Sequence, residues 1–564
     1  MGSDPNAHLE GEPSRFAFDR ALRALHALER EEGDDAARGA VARAADALAG
    51  WPASARVAPR WLLEAWTAGA RPRCGELVRA LEVGPSEGTR RAVHATQVLQ
   101  RAPLSRLRAI RLTAADSDGL HELADALAEA PAGALRALEL RACQVTSGAH
   151  ARLSAARGLG ELTTLALPRT VASPEHVTGW ASSPGWAGLE SLDLSDNALG
   201  LTGATRLTSA PNAGLRHLAV AGCGLDSGAL RAILSSRAFP GLGSLEVGRN
   251  PWTVGCWDAL REARLEGLEV LNLDGAHVGV EIHDARAMPW SSPVRAVSLR
   301  RARLDGSHAE PLARVLPREP RELDLSGNHL QARAARSLLD GVGPGALEAL
   351  SLSLNPIRGG DVGEVLGALA GAPLARLGIS ASAHDRTLRD EVSARAVLDA
   401  LEALPSFGAL RALDVSGRLS APEEAAWLAM ALPEGLEELA VRDCRVDDAA
   451  FAALARRCPG LRVLDVSENA ALSLDAIVQA LHEGAWPGLE ELRASLIGAR
   501  ASDPRLQRAL QGLCERRGVA LDRGDVPEAP PLTTARWGWV MRTRRPVPVW
   551  GWRLTRDGWW YTRA

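Results

Sequence analysis

The sequence predicts an α/β solenoid: parallel strands line a concave face, helices cover the convex face, helices cap the N-terminal end, and a small β meander follows at the C-terminus. Three observations carry this. The stretch Leu189 to Leu199 (LESLDLSDNAL) reads L-x-x-L-x-L-x-x-N-x-L. Recognisable copies recur from about residue 104 to about residue 495, with first leucine-like positions running from Leu107 to Leu489 in steps of 25 to 28 residues, save one step of 36. A fixed period of roughly 20 to 29 residues marks stacked repeats, each burying its apolar face against its neighbours. The third observation is a change of composition at both ends, where the repeat stops.

Each motif position has a physical reason. In Leu192-Asp193-Leu194 the alternation has period two, so the leucines point into the core and Asp193 points out of a short strand. The second half of each copy returns the chain: Ser227 to Arg237 and Asp447 to Arg457 carry apolar residues at three-to-four spacing, which suits a helix. Helices are wider than strands, so stacked pairs bend into a horseshoe with the strands inside. At ~4.8 Å between strands, fifteen copies span an inner arc on the order of 70 Å. The ninth motif position turns the chain out of the strand and gives buried backbone groups a partner. Asn holds it at 197, 250, 328, 355 and 469, and Cys at 143, 223 and 444. Thr170 and Ser382 substitute, while Ala276, Ala302 and Arg418 break the pattern.

With this motif the chain resembles the leucine-rich-repeat superfamily, in its ribonuclease-inhibitor-like and cysteine-containing subtypes. The segment Leu436 to Leu461 is most similar to the cysteine-containing subtype. The resemblance implies the solenoid fold and a protein-recognition role; members of that subtype are often substrate-recognition arms. It says little more about function.

Composition bounds the rest. The formal charge of -4 selects neither a nucleic-acid nor a membrane partner for the whole chain. All 65 basic residues are arginine, which points to high-G+C bacterial codon usage. Without lysine, a Walker-A phosphate loop and Schiff-base chemistry are excluded. The seven cysteines form no C-x-x-C; buried reduced thiols explain them better than disulfides or zinc, which favours a cytoplasmic location. Met1 to Pro13 is polar and no run of 18 apolar residues occurs, so neither a signal peptide nor a membrane span is expected.

Residues 1–103 lack the repeat and read as a helical cap domain, with helices expected at 14–32, 35–48, 59–68, 76–81 and 86–99. Two readings stay open there: a cap for the first repeat, or a docking module anchored by Trp51, Trp61 and Trp66.

Residues 104–521 form the array. Its outward strand position holds Glu139, Asp193, Glu246, Asp324, Asp414 and Asp465, with Arg111 and Arg493 at the ends and small residues between. This acidic ladder favours a basic protein partner steered by charge; a solvated strand face is the alternative. The long step from Leu374 to Leu410 reads as an insertion at 383–393, whose His384, Arg386 and Arg389 project toward a ligand or belong to a tolerated loop.

A Pro-containing linker spans 522–534, and the tail 535–564 is rich in Trp and Arg. It holds Trp537, Trp539, Trp550, Trp552, Trp559 and Trp560, together with Tyr561. Seven arginines, Arg544 and Arg545 among them, face one aspartate, for a net +6. Asp557-Gly558 is a hairpin signal within an expected three-stranded meander. The tail suits a C-terminal cap, a lid folded back on the acidic arc, or external contact with single-stranded nucleic acid or an anionic membrane surface.

No nucleophile elbow, zinc-protease motif, dinucleotide fingerprint or EF-hand loop occurs, and no cofactor or metal is implied. The expectation is a non-enzymatic protein-recognition scaffold acting through its concave surface, its terminal modules or both. The alternatives are a nucleic-acid- or membrane-associated adaptor acting through the tail, and a small-GTPase regulator. The sequence leaves the oligomeric state open.

Overall fold

The computed structural model describes residues 9, 15–51, 53, 55–84, 94–129, 135–171, 173–263, 266–278, 280–288, 290, 294–381, 391–495, 503–517, 519–522, 550–555 and 558–563. The chain divides into two compact units, one built on residues 1–251, 262–267 and 551–562, the other on 252–261, 268–550 and 563–564. Each is an α/β repeat with parallel strands, as the period predicts.

The first unit opens with helices Arg15–Glu32, Asp34–Ala47 and Arg60–Thr67. Phe18, Leu22 and Leu25 are buried at the predicted helical spacing. The three indoles belong to the packing: Trp66 is 1 % exposed, Trp51 is half-buried, and Trp61 is half-buried and donates through Nε1 to Asp19 at 2.6 Å. The helix expected at 76–81 is replaced by a short 3-10 turn, Arg73–Leu77, and a strand, Ala80–Val83. Val78-x-x-Leu81-x-Val83 is itself a period-two copy of the motif start, and Leu81 pairs beside Ile110 in a parallel ladder. The buried Arg56 clamps this join, giving Nε and Nη2 to the Leu77 carbonyl and Nη1 to that of Leu48. Of the helix expected at 86–99, Ala95–Leu99 is described.

Strands Ala109–Thr113, Ala137–Arg141, Thr164–Ala166, Ser191–Asp193, His217–Ala219 and Ser244–Glu246 follow in register. Their inward residues Ile110, Leu138, Leu165, Leu192, Leu218 and Leu245 are all buried to within 1 %.

The second unit repeats the scheme from Val270–Asn272 to Glu491–Arg493 and adds a strand, Ala520–Asp522, beyond the last recognisable copy. The returning helices start where the sequence supplies a cap. Asp447 accepts from the Ala450 N–H at 2.8 Å and Ser473 Oγ from that of Ala476 at 3.1 Å, and Asp226 caps Ser227–Ser235 in the first unit in the same way. Helix Glu391–Glu402 takes in part of the expected insertion; His384, Arg386 and Arg389 lie outside the described residues.

In the tail, Trp550–Thr555 and Gly558–Arg563 pair in a two-stranded sheet, with Gly558 inside the second strand; Asp557 lies outside the described residues. They carry Trp550, Trp552, Trp559, Trp560 and Tyr561. Trp537, Trp539, Arg544 and Arg545, and with them the first strand of the expected meander, lie outside the described residues. Among the described residues, no helix is long and apolar enough to cross a membrane.

Candidate functional site

The backbone leaves each strand through one repeated device. The residue before the ninth position takes the left-handed conformation, as at Ala114, Ala142, Arg169, Asp196, Arg249, Arg301, Leu354, Asp443 and Glu468, and at Gly222, Gly275, Gly327 and Gly417. This turns the ninth side chain inward. Asn197 there accepts from the N–H groups of Thr170 and Val171 at 2.9 and 2.8 Å and donates to the carbonyls of Leu167 and Leu194 at 2.9 and 2.7 Å. Asn250, Asn328, Asn355 and Asn469 also bridge to the preceding repeat.

The cysteines at this position do part of the same task. Cys223 Sγ donates to the Leu194 carbonyl at 3.0 Å and Cys444 Sγ to that of Val415 at 3.3 Å. All seven cysteines are free and buried, and burial pushes the thiols of Cys223 and Cys444 up to about 12. They are packing groups rather than nucleophiles.

The predicted acidic ladder is aligned, with Ala166, Asp193, Ala219 and Glu246 on successive rungs of the first unit. Asp324, Ser351, Gly378, Asp414, Ala440 and Asp465 do the same in the second. Its carboxylates are occupied by the chain itself. Asp193, Asp324, Asp414 and Asp465 each accept the N–H two residues on, from Ser195, Ser326, Ser416 and Ser467, at 2.8 to 3.0 Å. Glu139 is fully buried between Arg111 and Arg141, and Glu246 is half-buried. The two end arginines are neutralised as well: Arg111 also faces Glu82, and Arg493 pairs with Glu491 and Asp465.

Burial, opposed by Arg300, raises Asp324 to about 7, and burial raises Asp414 to about 6. Near neutral pH the ladder therefore carries less negative charge than its residue types suggest.

The sides of the repeats where the strands end are different. In the first unit Asp196 pairs with Arg249 at 2.8 Å and with Arg169 at 3.6 Å. The link to Arg249 passes over Gly222, where an added Cβ would lie 2.4 Å from Asp196 Oδ1 at a φ of +65°. Gly222→Ala is expected to cost about 2 kcal/mol, backbone strain plus the displaced ion pair. Gly224→Ala, with the same φ but open space around it, is expected to cost about 1 kcal/mol. Chemical denaturation of the two variants checks the difference.

Next to this network an open groove of about 450 Å³ is lined by residues including Ser117, Cys143, Thr146, Arg169, Thr170 and Asp196. Its Cys143 thiol is pushed up to about 11 by burial, which leaves hydrogen bonding and charge as its chemistry.

A buried histidine, His150, and a half-buried one, His176, sit on neighbouring helices of the same unit. The His150 ring stacks on His176 at 3.9 Å and meets Trp180 edge-on at 5.6 Å. Burial, then His176, lowers His150 to about 3; burial, then Arg216, lowers His217 to about 4. A histidine depressed on folding costs nothing above pH 6.5. Below that it withdraws stability progressively, because only the unfolded chain takes up the proton. The raised Asp324 and Asp414 act in the opposite sense between pH 3.8 and their folded values. The expected result is therefore read by comparison: denaturation midpoints of His150→Leu fall less than those of wild type between about pH 6.5 and 4.

A family model described as Leucine Rich repeat matches residues 189–207. No curated protein matches the chain. Among solved structures, one titled "Crystal structure of Rad7 and Elc1 complex in yeast" is similar at 15 % identity and a TM-score of 0.37, over 72 % of this chain and 87 % of that one. The matched stretch contains the Leu189 to Leu199 motif, its strand Ser191–Asp193 and its turn residue Asn197, and on that ground the chain is related to the leucine-rich-repeat proteins.

Proposed function

We propose that the protein is a non-enzymatic recognition scaffold that binds a protein partner, and that contact is made along the sides where the strands end rather than through the carboxylate ladder. One contrast carries this reading. The ladder carboxylates of the strand face are hydrogen-bonded to their own chain or paired with its arginines. Beyond the strands, Arg301, Arg303 and Arg445 stand exposed in left-handed backbone. The cysteines that donate from the ninth position support the cysteine-containing subtype, and seven buried free thiols support a reducing, cytoplasmic setting. The N-terminal helices act as a cap and the C-terminal hairpin as a terminal module of the same scaffold.

The test compares two charge variants in quantitative capture from the native host. Arg301→Glu with Arg303→Glu is expected to remove captured proteins that Asp193→Asn with Asp465→Asn retains. The reverse result would return the contact to the ladder; capture indifferent to both variants would argue against a contact at either surface.

A further inference from the structure

One segment of the second unit carries large exposed side chains on the repeated turn. The eighth position is glycine in several repeats, which accepts the left-handed conformation at no steric cost. Arg301 (φ 50°) and Leu354 (φ 59°) hold side chains at that position, and Arg303 (φ 59°), two residues past Arg301, is left-handed as well, at roughly 1 kcal/mol each. None of the three is buried in return: Leu354 is 44 % exposed, and Arg301 and Arg303 face solvent.

Backbone bonds continue the rungs past the strands and set Arg301, Gly327 and Leu354 on successive rungs. The Arg301 N–H donates to the Ser326 carbonyl at 2.9 Å, Gly327 to Ser353 at 2.8 Å, and Leu354 to Ser380 at 2.8 Å. Arg301 and Leu354 are thus two rungs apart, about 10 Å. The Arg301 stem lies over the intervening Gly327, where an added Cβ would come within 2.8 Å of its Cγ. His329 and Arg358, both exposed, belong to the same two turns.

The neighbouring carboxylates are committed elsewhere. Asp274 accepts from Ser298 and from the Arg300 N–H, Asp324 is fully buried against Ser326 and Arg300, and Asp305 is held by Ser307 and His308. Burial of its stem, then the positive Arg300 beside it, lowers the pKa of Arg301, with Asp274 acting in the opposite direction. The first unit shows the completed form of this arrangement. There Arg169 and Arg249, at the same motif position, share the carboxylate of Asp196.

We propose that Arg301, Arg303 and Leu354 form a docking patch for an acidic segment of a partner protein, whose carboxylates take the place that Asp196 holds in the first unit and whose apolar side chain packs on Leu354. The inference rests on the scaffold reading above and names its partner chemistry. The Arg-rich tail of this chain is ruled out as occupant by like charge. A nucleic-acid strand matches the arginines and leaves Leu354 without a partner.

Glycine substitution separates binding from folding here, because it relieves the backbone while deleting the side chain. Fluorescence anisotropy of the full chain would use three probes: a Glu/Leu decapeptide, its Gln/Leu counterpart, and an oligothymidylate of equal charge. The Glu/Leu peptide is expected to bind best. Arg301→Gly with Arg303→Gly is expected to weaken it about tenfold, and Leu354→Gly about threefold, while both variants melt at or above the wild-type temperature.

Unchanged peptide affinity in the glycine variants, or no binding at ~1 mM peptide, overturns the patch. Tighter binding of the oligothymidylate, lost in the same variants, overturns it in favour of nucleic acid. Failure here with partner capture still sensitive to Arg301→Glu and Arg303→Glu would refute the acidic-peptide chemistry alone and leave the scaffold reading standing.

Discussion

Replacing Arg418 with alanine is expected to destabilise the second unit by about 4 kcal/mol, the largest effect of any single change at a turn position. Arg418 occupies the ninth motif position, where asparagine or cysteine is usual, and it is 1 % exposed. Its guanidinium spans two repeats, with Nε donating to the Ile379 carbonyl at 2.5 Å and Nη1 to the Ile357 carbonyl at 2.6 Å. Alanine removes both donors and opens a cavity the width of an arginine side chain. Arg418→Met fills much of that space without restoring a donor, so it should recover part of the loss. In a stack where each repeat contacts its neighbours, the damage should be local. Hydrogen exchange should accelerate in the strands Ala349–Ser351, Arg376–Gly378 and Ala412–Asp414 before it does in the first unit. A loss below about 1 kcal/mol in chemical denaturation would mean that the two carbonyls find other partners.

The second large effect is expected at Asn250. Its Oδ1 accepts the N–H groups of Cys223 and Leu225 at 2.9 and 3.0 Å, and its Nδ2 donates to the carbonyls of Val220 and Val247 at 2.9 and 2.8 Å. One buried side chain thus satisfies four backbone groups that water does not reach. Asn250→Ala leaves all four short of a partner, and about 3 kcal/mol is the expected cost. Asn250→Asp keeps the acceptor, loses both donations and buries a charge, so it should be at least as damaging at neutral pH and recover as the pH falls. Denaturation midpoints at two pH values separate the variants. Equal stability of Asn250→Asp and wild type at pH 7 would contradict this account of the turn.

Much of this was legible in the residues. The spacing of Leu165, Leu192 and Leu218 states that they share an inward row, because a period of two along the strand and a period near 27 along the chain admit few other arrangements. The turn role of Asn197 and Asn250 follows from the same register. The terminal strands were present as faint copies: Val78-x-x-Leu81-x-Val83 carries the motif start without asparagine or cysteine at its ninth position, and the strand at Leu521 lacks a leading leucine. The surface patch had its own trace in the Arg300-Arg301-Ala302-Arg303 run, although nothing in that run announces backbone conformation.

From its sequence alone this protein was bound to be a strand-and-return repeat with leucines inside and polar turns, since local periodicity and the need to satisfy buried backbone groups depend on neighbours only a few residues away. The fate of its charges depended on contacts between residues some twenty-seven apart or more. Asp193 and Asp465 each accept the N–H two residues on, a local lock, and it is the neighbouring rungs about 5 Å apart that bury them. Arg301 and Arg303 stand exposed while Asp274 and Asp305 beside them are engaged by other groups.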